Sequence, residues 1–184
     1  MNPSSILLVA TLSLMVSAWS DGGLHSNEAA IPMSDFETLT IKRSGCLFDC
    51  PAFDVSIRSD GLVRHSGPHF DNTGGPIESR ADQNGLAQIA MALRVARIDE
   101  MRDSYQSKAD GCVNLFSDMP TIYLWVSREQ GNRNKSVFFN AGCVGPAVPA
   151  ERLDALIKTV DQVAGSGVLL EQRKRARPLD GTSG

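Results

Sequence analysis

The hydrophobic pattern divides the central part of the chain into short strands and two amphipathic helices. Apolar and polar residues alternate from Phe36 to Lys42 and again from Phe53 to Arg58, which is typical of half-buried strands. Asp60-Gly61 follows, a dipeptide that favours a two-residue hairpin turn, and a third strand then runs to His65. The sequence therefore predicts three antiparallel strands at the start of the fold.

Helical spacing appears twice further along. Apolar residues recur at intervals of three and four from Asp82 to Ile98 and again after Pro149. Between these helices, Thr121–Val126 is rich in β-branched and aromatic residues, and Val137–Phe139 is its predicted partner strand. The order β-β-β-α-β-β-α predicts an α+β fold, with a mostly antiparallel five-stranded sheet and two helices packed on one face. Such a fold leaves the second face of the sheet uncovered.

The two ends of the chain differ in composition from the central part. Residues 1–18 contain an apolar run too short to span a bilayer of roughly 20 helical residues, and it ends in Val16-Ser17-Ala18, the pattern of a signal-peptidase site. We therefore expect cleavage after Ala18, a periplasmic or secreted protein, and no stable membrane insertion afterwards. An uncleaved anchor is the alternative, because no Lys or Arg precedes the run. The predicted organisation is a signal peptide (1–18), a flexible lead-in (19–34), one α+β domain (35–165) and a basic, disordered tail (166–184).

Composition and charge narrow the classes of partner. The 184-residue chain is 42% hydrophobic and 21% charged, as ordinary globular proteins are. Its formal net charge of −3 gives no reason to expect nucleic acid as a partner. The sequence has no Gly-x-Ser-x-Gly turn, no phosphate-binding glycine loop and no metalloprotease helix, and it predicts no cofactor.

Four cysteines in an exported chain predict two disulfides, for which three connectivities are possible. Cys46 and Cys50 bracket a tight loop between two predicted strands, so we predict the pairs Cys46–Cys50 and Cys112–Cys143. A redox-active first pair is the alternative, but redox pairs usually have two intervening residues at a helix N-terminus, and here three residues lie between two strands. A nucleophilic Cys50 assisted by His65 would need a free thiol.

Two further sets of polar residues are candidates for chemistry. His65 and His69 could ligate a metal, but extended backbone would hold them roughly 13 Å apart, so no metal site is predicted. Asp103, Tyr105 and Asp118 lie in irregular segments, where polar residues more often carry function, and they are the candidate catalytic residues. The alternative is that the two aspartates cap turns and Tyr105 packs against the sheet.

A series of short motifs resembles a known bacterial family. The motifs are Arg43-x-Gly45-Cys46-x-x-x-Cys50-Pro51, Asp60-Gly61-x-Val63 with a later Gly67, Ile98-x-x-Met101-x-Asp103-x-Tyr105, Asp118-x-Pro120-Thr121 and Val137–Gly142. Over residues 36–163 the chain is similar to the family catalogued as domain of unknown function 6438. The resemblance supports the fold, implies no known activity, and agrees with the first disulfide, since that pair occurs in the family without the second. His65 stands where the family more often has an aromatic residue.

The function expected from these features is a non-enzymatic binding or interaction module of the cell envelope. Its partner would be an envelope protein or a small ligand. A small periplasmic hydrolase and a cysteine-based redox protein are the alternatives. The expected partner surface is the uncovered face of the sheet, with the polar side chains Thr38, Thr40, Lys42, Ser56, Arg58 and Arg64.

Overall fold

The computed structural model describes residues 36–47, 50–72, 74–128 and 133–176. Over these residues the protein is α+β, with a seven-stranded sheet, a two-stranded ribbon and four α-helices. The strands are β1 (Thr38–Arg43), β2 (Asp54–Arg58), β3 (Leu62–Ser66), β4 (Ile77–Arg80), β5 (Ser104–Tyr105), β6 (Asn114–Leu115), β7 (Thr121–Ser127), β8 (Lys135–Asn140) and β9 (Cys143–Val144). The helices are α1 (Pro68–Asp71), α2 (Gln83–Ala96), α3 (Ala150–Ala164) and α4 (Ser166–Ala176).

The large sheet has the order β4-β3-β2-β1-β7-β8-β5. Neighbouring strands are antiparallel except β5 and β8, which pair in parallel through Ser104 with Phe138 and Tyr105 with Phe139. The α+β class was predicted, but the five-stranded, two-helix description was wrong in detail. The additional strands and the short helix α1 escaped the pattern because they are two to four residues long, too short to show a period.

Alternate residues of the central strands point into one core. In β1, Leu39 and Ile41 are fully buried, and the same holds for the facing residues Val55 and Ile57 of β2. The buried stripes of α2 and α3 belong to the same core cluster, so both helices cover one face of the sheet, as predicted. Gly85 lets the two helices approach closely, because a Cβ there would lie 2.8 Å from a methyl carbon of Val163.

Helix α2 begins and ends close to the predicted residues. Asp82 is its N-cap, and its carboxylate accepts a hydrogen bond from the backbone N–H of Gly85 at 2.7 Å. Arg97 ends the helix in the left-handed region, with a φ of 54°.

Part of the segment expected to be a disordered tail is helical. Gly165 ends α3 with a φ of 71°, and α4 begins at the next residue. Ser166 is buried, and Leu169 and Leu170 pack against the core. The sequence predicts disorder here because basic residues are dense in this segment and its apolar residues are few. Residues 177–184, the signal peptide and the lead-in lie outside the described residues.

Candidate functional site

The three candidate catalytic residues each have a separate local environment in the structure. Asp103 has a largely exposed side chain and accepts from Lys135 Nζ at 2.6 Å. Tyr105 is buried, and its hydroxyl accepts a hydrogen bond from the backbone N–H of Arg102 at 3.0 Å. Asp118 is exposed in the turn before β7, with a φ of 62°. None of the three borders any of the clefts described below.

Both predicted cysteine pairs are present in the structure. Cys46 and Cys50 are bonded across a short loop, with their Cα atoms 5.4 Å apart. Cys112 and Cys143 are bonded across 31 residues of chain, with a Cα separation of 5.1 Å. The first bridge closes the loop between β1 and β2, and the second joins the residues just before β6 to β9.

A group of charged and polar side chains, buried or half-buried, lies where β1 and β3 meet α3 and α4. Nη2 of Arg43 donates to both carboxylate oxygens of Asp161, at 2.8 and 2.9 Å. Ser166 is hydrogen-bonded to Asp161 and lies 3.0 Å from Nε2 of His65. The guanidinium of Arg43 also lies 4.5 Å above the ring of Phe53. We call Arg43, His65, Asp161 and Ser166 the polar network.

Burial dominates the electrostatics of the polar network. Burial raises the pKa of Asp161 and lowers that of Arg43. The opposite charge of each partner counteracts part of the other's shift. Burial and then the charge of Arg43 lower the pKa of His65 to about 4. His65 is therefore neutral at pH 7. Since Ser166 donates to the carboxylate of Asp161, Nε2 of His65 carries the proton and donates to Ser166.

The polar network contains the residue types of a catalytic triad in an order that does not activate a nucleophile. In a triad the histidine lies between serine and carboxylate and removes the serine proton. Here Ser166 lies between His65 and Asp161, and its proton points to the carboxylate. Ser166 is only 1% exposed, so a substrate cannot reach it. The polar network anchors α3 and α4 to the sheet, and its long sequence separations explain why no local motif indicated it.

The second face of the sheet is open to solvent on both sides of β1, since the described helices pack on the core side. On β2–β4 this open face is charged, and its charges pair with one another. Lys42 lies 3.8 Å from Asp54, and Arg64 lies 3.2 Å from Glu78. Arg58 pairs with Asp60 at 2.6 Å. The charged residues predicted to form a partner surface thus already have partners within the chain.

On β7 and β8 the open face is aromatic. Tyr123 and Trp125 alternate with the buried residues Leu124 and Val126, and Phe138 lies directly across from Tyr123. All three aromatic side chains are half-buried. Hydroxyl-bearing residues flank them, with Thr40 and Ser136 on either side of Trp125. We call Tyr123, Trp125 and Phe138 the aromatic patch. The sequence analysis missed it, although the alternation within β7 separates these residues from the core.

A third distinctive surface surrounds the second disulfide. β6 and β9 form a small antiparallel ribbon, in which Leu115 pairs with Cys143. We call residues 112–119 and 142–145 the cysteine ribbon. Its large apolar side chains are exposed by 44–62%: Val113, Leu115, Phe116, Met119 and Val144. A contiguous apolar surface of this kind is typical of an interaction site.

Three clefts lie outside these surfaces or at their edges. One of about 360 Å³ lies beside the first disulfide and is lined by residues that include Cys50, His69 and Arg173. Another of about 490 Å³ lies between α2 and α3. The third, of about 600 Å³, adjoins the cysteine ribbon between residues 141 and 152.

Within the described residues, no three His, Cys, Asp or Glu side chains are grouped to hold a metal ion. The helices in the described part of the chain are too short or too polar to cross a membrane.

These features define a small α+β protein with two cysteine bridges and an open sheet face. The sequence profile of a domain of unknown function, DUF6438, matches residues 37–164. The chain belongs to that family, as the motifs around the first cysteine pair predicted. No curated protein matches the sequence.

Proposed function

We propose that this protein is an exported, non-enzymatic binding module of the cell envelope, and that its ligand surface is the aromatic half of the open sheet face. The observation that carries the proposal is the aromatic patch, Tyr123, Trp125 and Phe138, on a face that the described helices leave uncovered. Half-buried aromatic rings on rigid strands supply large contact areas at a low cost in conformational entropy. Export rests on the predicted signal peptide.

The neighbouring residues favour a glycan as the ligand. The faces of aromatic rings carry negative partial charge and attract the C–H groups of a sugar ring. Thr40, Ser136 and Asn140 lie on the same face and offer hydroxyl and amide groups for hydrogen bonds to sugar hydroxyls. Lys42, beside Tyr123, is the nearest cation by strand pairing, and it lies within ion-pair distance of Asp54. The chemistry thus suits a neutral, hydroxyl-rich polymer better than a strongly charged one.

A titration with soluble, uncharged glycan strands, such as chitin oligosaccharides, tests the proposal. The mature chain carrying Trp19→Phe has Trp125 as its only tryptophan, so a fluorescence change on titration reports directly on the aromatic patch. By calorimetry we expect Trp125→Ala to weaken binding at least tenfold, because buried tryptophans dominate binding energies. The matched control is Arg64→Glu on the charged half, which should bind within about twofold of the wild type.

Two results would contradict this function. One is the absence of any fluorescence or calorimetric response to glycan strands. The other is a greater loss of affinity for Arg64→Glu than for Trp125→Ala, which would assign the binding surface to the charged half.

Export is tested separately, by mass spectrometry of the mature protein. An N-terminus at Trp19 is expected, and a full-length species would contradict export.

A further inference from the structure

The cysteine ribbon holds its apolar side chains rigidly in solvent. Cys112 and Cys143 tie its two strands together. Gly142 and Gly145 allow the strands to meet closely, since a side chain at either position would collide with a backbone carbonyl, that of Phe116 or that of Gly111. A surface constrained in this way loses little conformational entropy when it binds.

The exposed side chains of the ribbon lie next to a hollow formed mainly by small residues, with a surface that is about half polar and half apolar. The 600 Å³ cleft shares Cys143, Val144 and Gly145 with the ribbon and continues along residues 146–152. Its wall reaches the segment before the ribbon, because a Cβ added to Gly111 would lie 3.1 Å from that of Ala147. One continuous surface therefore carries both projecting apolar groups, such as Phe116, and a recess lined mainly by small residues.

We propose that the cysteine ribbon and this cleft form the contact between two copies of the chain related by a twofold axis. In a twofold interface the same patch is used by both partners, so the projecting residues of each copy enter the recess of the other. A surface with a projection beside a recess meets this requirement for self-complementarity. The proposal is independent of ligand binding by the aromatic patch.

The charges around this surface favour a second copy over a lipid membrane. Binding to an anionic membrane surface uses clusters of basic residues. Here Lys108 and Asp110 precede the ribbon, Asp118 lies within it, and Glu151 and Arg152 line the cleft. The two signs are mixed, and the centre of the patch is apolar, as in the interfaces of homodimers.

Sedimentation velocity of the mature chain, over roughly 1 to 300 µM, tests the proposal in the range expected for a modest interface. The wild type should shift from monomer to dimer with concentration. Phe116→Asp should weaken association at least tenfold, since it places a charge at the centre of the contact. Val168→Asp is the matched control, because Val168 is similarly exposed (63% against 58%) but lies on α4. It should associate like the wild type, and circular dichroism should show that both variants are folded.

A photo-crosslinker tests the geometry. With p-benzoylphenylalanine in place of Phe116, crosslinks to residues 144–152 of a second copy are expected. A wild type that remains monomeric overturns the proposal, as does equal weakening by both aspartate variants or a crosslink to another surface. A monomer that pellets with anionic vesicles would likewise overturn it and assign the ribbon to lipid.

Discussion

The polar network and the cysteine ribbon each lie near a disulfide, but they use their residues in opposite ways. The polar network places charged and polar groups under α3 and α4, where Arg43 pairs with Asp161 and His65 with Ser166, although Nη1 of Arg43 and Nδ1 of His65 are buried without a hydrogen-bond partner among the described residues. The cysteine ribbon holds apolar groups in solvent, where they contribute little to folding. Burying polar residues and exposing apolar ones both oppose the usual preferences. The polar network fixes α3 and α4 to the sheet. The exposed apolar residues of the cysteine ribbon have a physical reason only if a binding partner covers them.

The largest expected contrast is between two phenylalanines. Phe53 is 3% exposed and contacts Arg43, His65 and Phe70 through its ring, whereas Phe116 is 58% exposed on the ribbon. We expect Phe53→Ala to lower the free energy of unfolding by about 4 kcal/mol, because it leaves a cavity. Phe116→Ala should change it by about 0.5 kcal/mol or less. Urea denaturation at a dilution that keeps the chain monomeric measures both, and similar losses would remove the contrast.

The two disulfides should differ in the same experiment. Because a crosslink restricts the unfolded chain more when it closes a longer loop, replacing Cys112 and Cys143 by serine should cost about 3.5 kcal/mol. Replacing Cys46 and Cys50 should cost about 2 kcal/mol. The reverse order would mean that the packing around the first loop, rather than loop length, determines the effect.

Breaking the ion pair of the polar network should cost about 3 kcal/mol. Asp161→Ala leaves Arg43, whose side chain is only 12% exposed, without its countercharge. The double variant Arg43→Met/Asp161→Ala removes both charges and should recover part of this loss. If the two side chains act separately, the costs of the two substitutions add. The double variant would then be less stable than Asp161→Ala.

The last of these effects is a pH dependence. The unfolded chain binds a proton at His65 near pH 6.5, whereas the folded chain resists it until about pH 4. The unfolded state therefore binds more protons in this interval, and acidification from pH 7 to pH 4 should lower the free energy of unfolding by about 2–3 kcal/mol. Thermal denaturation across this range measures the slope. His65→Phe should flatten it, and equal slopes in the wild type and His65→Phe would exclude His65 as its source.

The sequence predicted most of the fold because most of it follows local rules. Period-two alternation located β1, β2 and β3, β-branched and aromatic composition located β7 and its partner β8, and helical spacing located α2 and α3 to within two residues. β4 and β5 form only because a neighbouring strand supplies their hydrogen bonds, which no local pattern records. Helix α4 was missed because its basic residues resemble those of a solvated tail.

Candidate functional residues were harder to predict than strands. The open face was expected from the element order, but its charged half was favoured over its aromatic half. The composition of β7 predicts a strand, but only the burial of Leu124 and Val126 shows that Tyr123 and Trp125 lie on the opposite, open face. The polar network joins residues 43, 65, 161 and 166, which come together only after the sheet and α3 have formed.

The position of β1 in the centre of the sheet has a consequence for how the chain folds. Thr38 pairs with Arg58 on one side and with Ser127, 89 residues away, on the other. A hairpin such as β2–β3 closes within microseconds, but contacts this distant in sequence place a domain among the slower folders, in milliseconds to seconds. Until β7 arrives, one edge of β1 stays unpaired and can recruit another chain. The cysteines are also accessible during this interval. The more slowly β7 docks, the more strongly the yield of protein with the native disulfides should depend on a disulfide isomerase.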